Sequence, residues 1–286
     1  MTSLVLQLDT RKQVEAFLSS PSHALLLTGP AGVGKTALAR HIAASLLQIP
    51  GPKLQSYPYF QVIKTVDNKA VGIDAIRALD HFLLLKISSA KPLARLALIE
   101  DAHTMTVEAQ NALLKLLEEP PANTVIVLSA AHEQSLLPTI RSRVQKISVK
   151  RPNVAELTGF FNQAGFSSAK IAQALAMSGS LPGLTYALLN EDQTHPMVEA
   201  AGLARQLLQF SAYERLLVAD KLTKDRGMSL DLCYILGQMA HMALRKAAGN
   251  SAERWRGILT ASYKATEQLL ANAQPKLTLT NLLLNL

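Results

Sequence analysis

Cysteine and aromatic residues are scarce in this sequence. One cysteine, Cys233, occurs in 286 residues, and aromatic residues make up 5% of the chain. A single cysteine excludes a disulfide framework within the chain and a zinc site built from several thiolates. Because Cys233 lies within the apolar stretch LDLCYILGQM, we expect it to be buried in a core.

Long hydrophobic runs are also absent. No apolar run approaches the roughly 20 residues that a membrane-spanning helix needs. The first residues, MTSLVLQLDTRKQ, lack the basic start and the small-residue cleavage site of a signal peptide. With 49% hydrophobic residues, the chain is long enough for two or three domains with cores of their own. We therefore expect a globular cytoplasmic protein that has no membrane partner.

The charge is unbalanced toward the basic side. Lysine and arginine number 29 against 21 aspartates and glutamates, which gives a net charge of +8. Such an excess favours contact with a polyanion such as nucleic acid. Because the charges are spread along the chain, an ordinary solvated basic surface is an equally good interpretation.

The first half of the chain alternates strand-like and helical patterns. Short apolar runs predict strands at 22–29, 95–101 and 124–130, and apolar residues at helical spacing predict helices at 35–47 and 108–120. Continuous apolar strands separated by helices are typical of a parallel sheet that is covered on both faces. The pattern therefore predicts an α/β domain over about residues 1–150.

The second half has no strand pattern. From 151 to 195 the helical patterns are interrupted by SGSLPG (178–183), and the polar segment NEDQTHP (190–196) separates them from further amphipathic helices at 196–286. We expect a small helical domain at 151–195 and an all-α domain at 196–286.

A complete phosphate-binding motif follows the first predicted strand. The sequence GPAGVGKT fits GxxxxGK[ST] and opens the helix at 35–47, and its residues are Gly29, Pro30, Ala31, Gly32, Val33, Gly34, Lys35 and Thr36. Glycines let backbone N–H groups surround phosphate oxygens at a helix N-terminus, a lysine reaches the outer phosphates, and a threonine hydroxyl binds Mg²⁺. The motif predicts nucleotide binding with Mg²⁺, and a Gly-rich turn between a strand and a helix is the alternative.

Two adjacent carboxylates end the second predicted strand, in the segment LALIEDAHTM. In P-loop ATPases a carboxylate at the end of a neighbouring strand holds Mg²⁺, and a second one orients the attacking water. Glu100 is the candidate for the magnesium, and Asp101 is the candidate for the water. An exposed acidic strand end without catalytic function is the alternative.

Several segments together resemble one family of proteins. YPYFQVI, VGIDAIR (71–77), the long segment LALIEDAHTMTVEAQNALLKLLEEPPANTVIVL (96–128) and LLPTIRSRVQKI (136–147) resemble the AAA+ clamp-loader subunits of bacterial DNA polymerase III. Delta-prime is the nearer type, and gamma/tau is the next. The resemblance implies an AAA+ domain at 1–150, a helical lid at 151–195 and a helical collar at 196–286.

The resemblance also implies roles for single residues. Residues 29–36 match the Walker A loop, Glu100 takes the place of the usual magnesium-associated Asp, and Asp101 takes that of the usual catalytic Glu. Ser129 matches the sensor 1 position, and Arg143 matches the arginine finger that acts on the ATP site of a neighbouring subunit. Without the resemblance, Arg143 belongs to a basic turn.

Four departures from the family pattern limit this transfer, and one of them is Val144 in place of the cysteine that follows the finger arginine. The segment LQIPGPKLQS (47–56) replaces a four-cysteine zinc module, so no zinc is expected. Leu184 stands where a sensor 2 arginine often occurs. Asp101 is shorter than Glu by one C–C bond, roughly 1.5 Å of reach, so it is a weak water-orienting base.

These features leave three functional hypotheses. The favoured one is a delta-prime-like stator that binds Mg-ATP, hydrolyses it slowly or not at all, and helps load the sliding clamp onto primed DNA. It would work in a hetero-oligomer with gamma/tau-like and delta-like subunits, and would meet the clamp and the primer-template DNA through that assembly. A gamma-type motor subunit with full ATPase activity is the second hypothesis, and another P-loop ATPase such as a helicase loader is the third.

Overall fold

The computed structural model describes residues 4–30, 32–65, 70–84, 93–192, 196–223, 225–245, 247–271 and 273–286. The chain divides into two compact units, Met1–Arg151 and Pro152–Leu286. The strands lie in the first unit, and the described part of the second unit is helical.

The first unit is built on a five-stranded parallel sheet. The strands are β1 (Ala24–Thr28), β2 (Phe60–Ile63), β3 (Arg95–Ile99), β4 (Thr124–Ala130) and β5 (Gln145–Ser148). The three strands predicted from apolar runs are β1, β3 and β4. β2 and β5 have two half-buried and three exposed residues respectively, so continuous apolar runs do not mark them.

The strand order in the sheet is β2-β3-β4-β1-β5. β4 therefore lies between β1, which leads into the phosphate loop, and β3, which leads into the carboxylates. The expectation that the carboxylates end a strand adjacent to β1 is wrong. Proximity in sequence does not determine strand order, because each parallel crossover can place its strand on either side.

Helices cover both faces of this sheet. The helices of the first unit are α1 (Leu8–Ser19), α2 (Lys35–Leu47), α3 (Gly51–Leu54), α4 (Ile73–Leu84), α5 (Val107–Glu118) and α6 (Pro138–Arg141). Alternate residues of β1 enter different cores: Leu25 and Leu27 pack with α1 and α2, whereas Ala24 and Leu26 pack with α4 and α5. This alternation explains why the central strands read as unbroken apolar runs.

The described part of the second unit consists of helices, most of which contribute to one apolar cluster. They are α7 (Val154–Gln163), α8 (Ser168–Ser178), α9 (Pro182–Leu189), α10 (Pro196–Leu207), α11 (Ala212–Leu222), α12 (Arg226–Leu244), α13 (Asn250–Leu270) and α14 (Pro275–Leu284). The cluster draws its residues from Leu181 to Leu286. Cys233 is 1% exposed within it, as its apolar surroundings predict. In the described parts of the chain, no helix combines the length and the apolar character needed to cross a membrane.

Candidate nucleotide site

The phosphate loop joins the end of β1 to the start of α2. Three of its glycines have positive φ angles: 153° at Gly29, 71° at Gly32 and 98° at Gly34. At Gly29 a Cβ atom would lie 2.5 Å from the backbone oxygen of Val149, so no larger residue fits without a shift of the backbone. The loop conformation therefore depends on glycine, as the motif requires. Ala31, a predicted member of the loop, lies outside the described residues.

Lys35 is held against the backbone of the loop. Its Nζ donates hydrogen bonds to the carbonyl oxygens of Gly29 at 2.7 Å and of Pro30 at 2.9 Å. Burial lowers the pKa of the Lys35 ammonium, and the nearby carboxylate of Asp101 partly offsets that effect. Thr36 is exposed at the second position of α2, where its hydroxyl is accessible. The predicted cation and hydroxyl thus occur together at one helix N-terminus.

The two carboxylates lie beyond the end of β3. The strand ends at Ile99, so the prediction that it continues through residue 101 is wrong, and strand alternation does not set the directions of these side chains. A turn sets them instead, because Asp101 has the left-handed φ of 49° and ψ of 48°. The Glu100 side chain is 14% exposed, whereas that of Asp101 is 55% exposed. The two acids are therefore in different environments.

Ser129 connects the central strand β4 to this turn. Its side chain is 1% exposed, and its Oγ accepts a hydrogen bond from the backbone N–H of Asp101 at 3.1 Å. Ser129 pairs in register with Leu27, one residue before the end of β1. The structure thus brings Ser129 and Asp101 together, and it places Ser129 on the strand next to the one that leads into the phosphate loop.

Sequence reasoning missed the ionic partner of Glu100. Arg40 Nη2 lies 3.0 Å from Glu100 Oε1, and Arg40 Nη1 donates a hydrogen bond to Gln55 Oε1 at 3.1 Å. A signal was available, because Arg40 follows Thr36 by four residues and so lies on the same face of α2. Gln55 carried no such signal, since it belongs to the segment that follows α3.

His103 also lies near the carboxylates. Its Nδ1 is 4.0 Å from Asp101 Oδ1. Burial lowers the pKa of His103, Asp101 raises it, and Lys35 and His132 lower it further. This position suits a polar residue beside the end of β3.

Arg143 lies between α6 and β5, on the surface of the first unit. Its Nη2 is 2.8 Å from Glu118 Oε1, and its Nη1 donates to the carbonyl oxygen of Thr139 at 3.0 Å. Glu118 ends α5, in the LEEPP segment. Val144, the next residue, is 8% exposed in the apolar core, so only the arginine of this pair reaches the surface.

The site suits a magnesium ion that arrives with a nucleotide. Among the described residues, no group of three or more His, Cys, Asp or Glu side chains could hold a metal by itself. The Thr36 hydroxyl and the carboxylates at the strand end are hard oxygen ligands, which Mg²⁺ prefers together with phosphate oxygens and water. A cleft of about 560 Å³, lined by Thr28, Gly29, Pro30 and Ser148 among others, opens beside the loop.

Comparison with known proteins supports a replication family. The model of the family described as "DNA polymerase III, delta subunit" matches residues 12–153. DNA polymerase III subunit delta' of Pseudomonas aeruginosa is 35% identical over 178 residues, which are 56% of this chain and 54% of that protein. The chain thus spans about half the length of this relative. DNA polymerase III subunit gamma/tau of Mycobacterium bovis is 31% identical over 134 residues, which are 43% of this chain and 23% of that protein.

A solved structure shares the fold over nearly the whole chain. The crystal structure of a gamma subunit-related protein of DNA polymerase III from Thermotoga maritima has a TM-score of 0.58 at 20% identity, and the match covers 96% of this chain and 97% of that one. At this identity the likeness shows the fold alone. The family model and the sequence relatives together support a clamp-loader subunit of DNA polymerase III, and the similarity is greatest to the delta-prime type.

Proposed function

We propose that this protein is a delta-prime-like clamp-loader subunit that binds Mg-ATP and hydrolyses it slowly or not at all. The observation that carries the proposal is the phosphate loop, in which three glycines with positive φ and the ammonium of Lys35 lie at the N-terminus of α2. Such an N-terminus attracts phosphate through its free N–H groups and its dipole. Thr36 and Glu100 would hold the magnesium of the bound nucleotide.

Weak hydrolysis follows from the position of Asp101. A general base must come within hydrogen-bond distance of the water that it activates. Asp101 has one methylene less than the glutamate usual at this place, and its backbone is fixed by the bond to Ser129 Oγ and by the left-handed turn. Its carboxylate is also 55% exposed, so water competes for its hydrogen bonds. Ser129 acts in this scheme as the sensor 1 residue that holds the turn.

Arg143 is the residue that this subunit would offer to a neighbour. Its guanidinium is 36% exposed, and its ion pair with Glu118 is a surface pair. Surface pairs contribute about 0–1 kcal/mol, so a phosphate group of a neighbouring subunit could displace Glu118 at small cost. An arginine supplied in trans stabilises charge that develops on the γ-phosphate.

The second unit would contain the lid, residues 151–195, and the collar, residues 196–286. Exposed apolar side chains on two of its helices support association with other subunits: Tyr213 and Leu217 on α11, and Leu277 and Leu284 on α14, are 52–70% exposed. The partners would be gamma/tau-like and delta-like subunits. Through this assembly the protein would act on the sliding clamp and primer-template DNA in the cytoplasm, without zinc and without a membrane partner.

A gamma-type motor is the second candidate, because the phosphate loop is complete. The two candidates differ in which residue matters for hydrolysis by the assembly. A motor needs its own water-orienting residue, whereas a stator contributes through its finger.

The test compares Arg143→Ala with Asp101→Asn in the assembly reconstituted with gamma/tau-like and delta-like subunits, clamp and primed DNA. We expect Arg143→Ala to lower the ATP hydrolysis rate at the neighbouring subunit's site about 10²-fold or more, since an arginine finger supplies a factor of about 10³–10⁵ there. Asp101→Asn should lower it less than about two-fold, because this subunit contributes little turnover of its own.

Arg77→Ala is the matched control, since Arg77 pairs with Asp74 on the surface and carries the same charge. It should leave the rate unchanged. If Asp101→Asn abolished the ATP hydrolysis of the assembly and Arg143→Ala left it unchanged, the result would favour the motor and refute the stator.

A further inference from the structure

Glu100, the carboxylate expected to face magnesium, forms an ion pair with Arg40. Arg40 Nη2 lies 3.0 Å from Glu100 Oε1, and the Glu100 side chain is 14% exposed. A carboxylate that is largely removed from water interacts more strongly with a nearby cation than an exposed one does. Arg40 thus forms an ion pair with the carboxylate that is expected to face the magnesium of a bound nucleotide.

Glu100 has a longer side chain than the aspartate usual at its position. Arg40 lies one helical turn beyond Thr36, farther along α2 than the hydroxyl expected to bind magnesium. Glutamate reaches one C–C bond farther than the aspartate usual at this position. The extra reach of Glu100 favours its contact with Arg40.

A second contact fixes the arginine in this orientation. Gln55 Oε1 accepts a hydrogen bond from Arg40 Nη1 at 3.1 Å, so the two terminal nitrogens of the guanidinium bind two different side chains. Gln55 directly follows α3 in the chain. A planar guanidinium held at both ends loses freedom to swing away.

We propose that Arg40, positioned by Gln55, is an internal counter-ion of Glu100 that competes with Mg²⁺ and raises the magnesium concentration needed for nucleotide binding. The inference rests on the proposed binding of Mg-ATP at this site. Arg40 is a positioning residue, since it acts on the nucleotide through Glu100. Gln55 acts one step farther away, through Arg40.

The test measures binding of a fluorescent ATP analogue to the full chain across a magnesium titration, and again in EDTA. We expect Arg40→Met to lower the midpoint magnesium concentration about five-fold, the factor that corresponds to the loss of one partly exposed ion pair. Arg40→Lys keeps the positive charge, but a lysine lacks the two terminal nitrogens that bind Glu100 and Gln55 at once. We therefore expect it to shift the midpoint magnesium concentration less than Arg40→Met does. Gln55→Ala should also shift the midpoint to lower concentration, by less than Arg40→Met.

Arg77→Met is the matched control, because it removes the same charge from a surface pair with Asp74. It should leave the midpoint unchanged, and circular dichroism should show that each variant is folded.

An unchanged or higher midpoint in both Arg40→Met and Gln55→Ala would overturn the inference while leaving the proposed function intact. A fall in affinity for Arg40→Met in EDTA as large as that in magnesium would also overturn it, since Arg40 would then act on the phosphates. Absence of analogue binding by the wild-type chain under every condition would refute the proposed function and this inference together.

Discussion

At the scale of single residues, the phosphate loop depends on Gly29. Its φ is 153°, and an added Cβ would meet the Val149 carbonyl oxygen at 2.5 Å. Because that oxygen belongs to the backbone, the contact cannot be relieved by turning a side chain. The close approach is a feature of the folded chain, and the motif alone indicates only that glycine occurs there.

We predict that Gly29→Ala destabilises the protein by about 2 kcal/mol and abolishes ATP binding. Urea unfolding and nucleotide titration would measure the two effects. Gly51→Ala is the control, since nothing lies within 4 Å of a Cβ atom there and its φ is not positive. A Gly29→Ala variant as stable as Gly51→Ala would show that the loop differs from this conformation.

The length of Asp101 gives a second prediction. Asp101→Glu restores roughly 1.5 Å of reach toward the attacking water and leaves the Glu100–Arg40 pair in place. We expect it to raise the ATP hydrolysis rate of this subunit about ten-fold, a fraction of what a well-placed base contributes. Phosphate release by the isolated chain is the measurement, with Asp101→Asn for comparison. An unchanged or lower rate in Asp101→Glu would show that reach is not what limits hydrolysis.

At the scale of elements, the best-buried parts of the fold could be predicted from sequence. The predictions for α2 and β4 match their observed bounds, because α2 follows a complete motif and β4 is buried at every position. β5 was missed because three of its four residues are exposed at the edge of the sheet. The pair between Arg40 and Glu100 joins residues that are 60 positions apart, and no local pattern encodes such a contact.

Helix α12 contains a carboxyl group whose titration should be visible in stability. Burial, and then the neighbouring Asp225, raises the pKa of Asp231 from 3.8 to about 6. Between about pH 4 and pH 6 the folded state therefore retains a proton that the unfolded state has released, so stability falls as pH rises through this window and stays lower above it.

We predict that Asp231→Asn stabilises the protein at pH 7.5 by about 1 kcal/mol, which is less than the full pKa difference implies because the group is only half buried. Near pH 4 the gain should disappear. Chemical unfolding at both pH values measures it. An equal effect at both would mean that the gain does not come from the charge of Asp231.

At the scale of the whole molecule, the net charge leaves the class of partner open. A net charge of +8 is compatible with nucleic acid binding or with a plain basic surface. Similarity to DNA polymerase III subunits supports action within a replication assembly. In such an assembly we expect the apolar residues of α11 to contribute contacts with neighbouring subunits.

We predict that Leu217→Glu weakens association with the partner subunits about ten-fold or more, because Leu217 is 55% exposed in an apolar stripe with Tyr213. Nucleotide binding should be unaffected. Leu8→Glu, at a residue 53% exposed on α1, is the control for a charge added to the first unit. Sedimentation of the mixed subunits would measure the difference. Equal association of the two variants would remove α11 from the interface.

The central claim is that this subunit holds ATP without hydrolysing it efficiently. The most direct measurement incubates the purified chain with labelled ATP and Mg²⁺, isolates the complex, and identifies the bound nucleotide over time, with Lys35→Ala as the control. We expect about one nucleotide per chain, recovered as ATP, and none on Lys35→Ala, which lacks the ammonium held at the loop. The claim would be contradicted if the bound nucleotide were recovered as ADP within the time that a competent ATPase needs for a few turnovers. It would also be contradicted if the wild-type chain bound no nucleotide.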